Sequence, residues 1–102
     1  MSQGNVAFEL LNGQGVLTGT ATWDASSIGD GNEEAKEITV TGAVLGDPVL
    51  MSCLSIDIAD LQLSADVTAD NTVTAVLSNC TGGAIDLASC TVKVWVIDVS
   101  QG

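Results

Sequence analysis

A chain of 102 residues has room for one domain, and two cations against 13 carboxylates give a net charge of −11 that repels nucleic-acid backbones. It contains no His, Arg or Tyr, so the usual proton-transfer and anion-gripping side chains are missing. Hydrophobic residues make up 46%, yet only Phe8, Trp23 and Trp95 are aromatic, which requires a core of Val, Ile, Leu and Ala. Such residues bury less area apiece, at about 25 cal/mol per Å², so assembly into a homo-oligomer is a natural source of further burial.

The opening Met1-Ser2-Gln3-Gly4-Asn5 has no signal-peptide character, and no apolar run approaches the ~20 residues that cross a bilayer. Cytosolic synthesis is expected, with no membrane partner. Cys53, Cys80 and Cys90 are then thiols, their odd number leaving one unpaired in any monomer, and they read as buried small hydrophobes rather than zinc ligands.

Alternation with period two begins at Val6, Phe8 and Leu10 and stops at the turn Asn12-Gly13-Gln14-Gly15. From Val16 to Trp23 a second strand places Leu17, Gly19, Ala21 and Trp23 on one side and Thr18, Thr20 and Thr22 on the wet side. Asp24 to Ala35 reads as an acidic loop, with a helical turn at Glu33 to Lys36. Ile38 and Val40 resume the alternation, Gly42 breaks it, and Gly46-Asp47-Pro48 marks a turn.

Val49 to Ile56 is apolar at both parities and so reads as a strand covered on both sides, followed by a helical turn at Ile58 to Asp60. Leu61, Leu63, Ala65 and Val67 face inward on the next strand. The turn Ala69-Asp70-Asn71 makes a hairpin with Thr72 to Ser78, where Val73, Ala75 and Leu77 point in. Turns at Asn79 to Gly83 and Asp86 to Ser89 precede the last strand, Thr91 to Val99. There Val92, Val94 and Val96 share one side, and Trp95, Ile97 and Val99 the other. If the first side meets the core, Trp95 and Ile97 face a partner, or else Phe8 and Trp23 cover them within the chain; both arrangements fit.

Seven or so short strands without helical periodicity predict one all-β domain over residues 1–102, an antiparallel β-sandwich of jelly-roll type. Little in it points to chemistry. Asp30-Gly31-Asn32-Glu33-Glu34 lacks the spacing of a calcium loop, and the pairs Asp57/Asp60 and Asp66/Asp70 fall near turns where both carboxylates stay solvated. A cysteine nucleophile would have no His to activate it. No catalytic residue, metal or cofactor is expected.

Thr39-Val40-Thr41-Gly42-Ala43-Val44-Leu45-Gly46-Asp47, Leu61-Gln62-Leu63, Asp70-Asn71-Thr72-Val73-Thr74 and Asn79-Cys80-Thr81-Gly82-Gly83-Ala84-Ile85-Asp86-Leu87-Ala88 follow one another in an order that resembles a β-rich module of tailed-bacteriophage structural proteins. The likeness covers residues 37–97, through the terminal strand, and leaves out Met1 to Lys36. Pro48 and the three cysteines depart from its pattern. The resemblance implies a non-enzymatic virion protein: a decoration, or cement, protein that binds and stabilises the major capsid protein shell, commonly as a trimer, on the capsid surface. The alternative it implies is a tail-fibre or head-appendage domain for host attachment, where Trp23 and Trp95 would be the aromatics available to a glycan. In the decoration reading Val6, Phe8, Leu10, Trp23, Trp95 and Ile97 are the candidate interface.

Overall fold

The computed structural model describes residues 15–99. Its strands are Val16–Trp23 (β1), Glu33–Thr39 (β2), Val49–Leu54 (β3), Gln62–Ala69 (β4), Thr72–Ser78 (β5) and Cys90–Ile97 (β6). All pair antiparallel, in a first sheet ordered β1-β6-β3 and a second ordered β2-β5-β4. The chain is thus all-β, in a sandwich-like arrangement with no helix among the described residues. The strand expected around Val6, Phe8 and Leu10 lies outside the described residues.

Every connection between these strands crosses from one sheet to the other except the Asp70-Asn71 hairpin joining β4 to β5. β1 pairs with β6 and β2 with β5, so the chain passes back and forth between the two layers around the β3-to-β4 crossing. Inward side chains then follow from the period-two alternation. Leu17, Gly19, Ala21 and Trp23 of β1 lie opposite Val96, Val94, Val92 and Cys90 of β6, while Thr18, Thr20 and Thr22 remain exposed. Val73, Ala75 and Leu77 of β5 are buried against them, and Ile38 and Val40 complete the packing.

β2 departs from the expected loop and helical turn over 33–36. Its charges sit at both parities, which masks the strand, but the ladder to β5 runs from Glu33 opposite Ser78 to Thr39 opposite Thr72. An edge position tolerates this, since Glu33 and Glu37 point to water. Glu34 points inward and accepts hydrogen bonds from the Trp23 indole Nε1 at 3.0 Å and from the Ser26 hydroxyl at 2.6 Å and amide at 3.2 Å. The Ser26 hydroxyl does most to hold the Glu34 carboxyl below the usual carboxylate range; partial burial opposes it, and the Trp23 and Ser26 amide bonds add to the lowering.

A pKa lowered by folding stabilises the fold above the ordinary glutamate value, and that contribution is lost as pH falls through the folded-state pKa. Glu34→Gln is therefore expected to lower stability near neutral pH by less than about 1 kcal/mol, because the site is open to solvent. Thermal unfolding followed against pH should show the gap between the two proteins closing in acid.

Two further expectations fail for local reasons. The segment from Val49 is not covered on both sides: β3 ends at Leu54 and forms an edge of the first sheet, with Leu50 and Met51 52% and 54% exposed. Residues 58–60 form no helical turn, since Ala59 and Asp60 both have positive φ (53° and 69°) and the Leu61 amide donates to the Ile58 carbonyl. That is a tight reversal of type I′ character. Of the cysteines, Cys90 alone is buried; Cys53 and Cys80 are exposed. Burial, and then the charge of Asp24, push the Cys90 thiol up, which leaves it unreactive beside the Trp23 carbonyl.

Candidate interaction surface

The two sheets present unlike outer faces, because alternation fixes what each strand turns outward. On the second sheet these are Glu33, Ala35, Glu37 and Thr39 of β2, Thr72, Thr74, Val76 and Ser78 of β5, and Gln62, Ser64 and Asp66 of β4. This face is polar and acidic. On the first sheet, by contrast, β1, β3 and β6 contain no Asp or Glu at all, although the chain carries 13. Its outer face places Thr18, Trp95 and Met51 in one row, Thr20, Lys93 and Cys53 in the next, and Val16 beside Ile97. Trp95 and Ile97 are half-buried there, and the Lys93 ammonium lies 4.9 Å from the centre of the Trp95 ring. The cation thus covers one aromatic face while its own charge remains available.

The same polarity extends to the ends of the sandwich. Val44, Leu45, Leu50, Met51 and Val99, the exposed large hydrophobics among the described residues, belong to the 41–48 loop, to β3 or to the segment just after β6, which ends at Ile97 and not at Val99 as the alternation suggested. Buried Asp47 ties the first of these to the last by accepting from the Val44 amide through Oδ2 and the Val99 amide through Oδ1. The Pro48 carbonyl accepts from the Ile97 amide at 3.0 Å and the Gly15 carbonyl from the Asp98 amide at 2.9 Å, so β1, β3 and β6 meet at this end. Asn71 secures the loop from the hairpin side: its Oδ1 accepts from the Gly42 amide, and its backbone bonds to Val40 and Ala43.

The opposite end is built on loops 24–32 and 79–89. These are joined by an antiparallel bridge between Ile28 and Ile85 and by fully buried Asn79. Its Nδ2 donates to the Ile28 and Gly83 carbonyls, and its Oδ1 accepts from the Thr81 amide and hydroxyl. An open, mostly polar concavity lies along Ser26 to Glu34. Its acids are turned to separate duties, Glu33 accepting from the Ser78 hydroxyl and Glu34 from Trp23 and Ser26, while neighbouring Asp30 accepts from the Gly82 amide. Asp57 accepts from the Ala59 amide within its own turn, and Asp60, Asp66 and Asp70 are exposed. No three His, Cys, Asp or Glu side chains converge as a metal site among the described residues.

Of the candidate interface residues, Trp95 and Ile97 lie together on the outer face of the first sheet. Trp23 does not join them. It is 3% exposed, on the inner side of β1, held by Glu34, and so neither displays itself nor covers Trp95. Val6, Phe8 and Leu10 lie outside the described residues. Leu50 and Met51 were missed as surface residues because two-sided apolarity reads as burial; the uncharged run Val49–Leu54 was the available signal. No family model and no curated protein matches this chain.

Proposed function

We propose that the protein is a non-enzymatic adhesion module whose first sheet docks, outer face inward, on a larger assembly. In the reading that the phage-module resemblance favours, that assembly is the major capsid protein shell and the chain is a decoration protein on its surface. The observation that carries the proposal is charge segregation: the sheet bearing Trp95, Ile97, Met51 and Lys93 lacks carboxylates, and the opposite sheet carries them outward. A body that binds through the first sheet buries apolar area and leaves its repelling charges in water, where they keep bound copies soluble. Binding only the assembled shell stabilises that shell by mass action.

A glycan-reading appendage has less to work with, since Trp23 is in the core and Lys93 already lies over Trp95. Titration of the protein onto undecorated shells tests the proposal. Saturable binding is expected, weakened roughly 30-fold by Trp95→Ala, the loss of about 2 kcal/mol given by truncating an aromatic anchor. Absence of saturable binding, or equal binding by the variant, removes this role.

A further inference from the structure

Among the described residues, four strand edges carry no further strand, and two of them are defended by charge. β2 carries Glu33 and Glu37 outward and Glu34 and Lys36 inward; β4 carries Asp66 and a register break after Val67. β1 is uncharged as well, but it turns Thr18, Thr20 and Thr22 to solvent where β3 turns large apolar side chains. β3 has a register shift of its own between Val49 and Met51, but no charge guards it on either face. It is uncharged from Val49 to Leu54, exposes Leu50, Met51 and Cys53, and has no Pro within it. An open, apolar edge of this kind is a template for another strand. Beside it, between β3 and β4, runs an apolar groove of about 550 Å³ lined by Leu54, Ile56, Ile58, Leu61 and Leu63.

We propose that β3 pairs antiparallel with β3 of a second copy about a two-fold axis, joining the two first sheets into one continuous sheet. Charge selects this occupant. Two copies at −11 each repel, and approach along β2 or β4 sets carboxylate against carboxylate, whereas β3 and its neighbour β6 carry none. Identical antiparallel strands are also self-complementary about a two-fold axis. Directly opposed residues must share a face, so the axis passes through a residue, Ser52 or Cys53, not between two. Either choice brings Met51 and Cys53 of both copies onto one outer face, continuous with Trp95. A trimer would instead require β3 to join a different edge of its neighbour, and those edges are charged or threonine-faced. The pairing concerns copies of this chain and does not rest on the docking reading.

The mass of the native protein in solution, compared with Leu50→Lys/Met51→Lys, tests the pairing. Both positions are exposed, so the variant keeps its fold, checked by its β-type circular dichroism and by a Thr20→Lys control on the β1 edge. The expected result is a dimer for the wild type and the control, and a monomer for the double variant. A wild-type monomer or trimer, or a dimer that survives the two lysines, overturns the proposal.

Discussion

Gly19→Ala is expected to lower the melting temperature by roughly 10–20 °C, and Gly19→Val to prevent stable folding. At Gly19 the backbone of β1 lies close against the second sheet. A Cβ there would lie 2.6 Å from the Thr39 carbonyl oxygen, 2.7 Å from Val40 Cγ2 and 3.2 Å from Ile38 Cγ2. The nearest obstacle is backbone, at the end of the β2 ladder, and cannot swing away as a long side chain would. Relief requires the sheets to separate just where Ile38 and Val40 are fully buried. Overpacking of this kind costs about 1–3 kcal/mol for one methyl and more for a branched side chain, against a total stability of about 5–15 kcal/mol. Gly83→Ala is the control: nothing lies within 4 Å of its added carbon, so its melting curve should stay close to that of the wild type.

Asn79→Leu is expected to cost about 1–3 kcal/mol, because it removes a fully buried amide that ties the two loops together, although the Ile28 carbonyl keeps the Ile85 amide and the Gly83 carbonyl the Thr81 hydroxyl. The carbonyls of Ile28 and Gly83 and the amide of Thr81 all lose the Asn79 side chain as partner. The backbone of Asn79 also bonds to Gly31 and Asn32, so the strain spreads into the other loop. Asn79→Asp separates lost shape from lost donation. It retains an acceptor for Thr81 but sets a carboxylate against two carbonyl oxygens, and so should destabilise at neutral pH and recover in part on acidification, when the protonated carboxyl again donates. Denaturant unfolding of the two variants measures both effects. Equal stability of Asn79→Leu and wild type would mean that the loops are held by something else.

Much of this fold was written in side-chain alternation. Where one face of a strand meets the core and the other water, as in β1, β4 and β5, parity alone assigned Leu17, Val67, Val73 and Leu77 inward and Thr18, Ser64 and Asp66 outward. β2 escaped because Glu33, Glu34, Lys36 and Glu37 have no preferred parity; the ladder to β5 makes that segment a strand, and local propensity yields to it. β3 escaped for the opposite reason, since apolar residues at both parities describe a buried strand and an undefended edge equally well. Ala59 in a left-handed turn carries no signal at all, as no Gly or Asn announces it.

The proposed docking face was half legible. Trp95 and Ile97 stood out as the second side of a two-sided strand. The absence of carboxylates beneath them did not, because the chain alternates between sheets and the separation appears only once strands are assigned to layers. The same assignment takes Trp23 out of the proposed interface, since it shares a parity with Gly19 and Ala21 on the inner side of β1.

The orientation of the molecule in a density map of capsid shells mixed with the protein tests the proposed role most directly. The account predicts symmetry-related copies over the shell with Trp95, Ile97 and Met51 against the capsid protein and Glu33, Glu37 and Asp66 toward solvent. Copies seated through the acidic second sheet, or shells left bare, would contradict it.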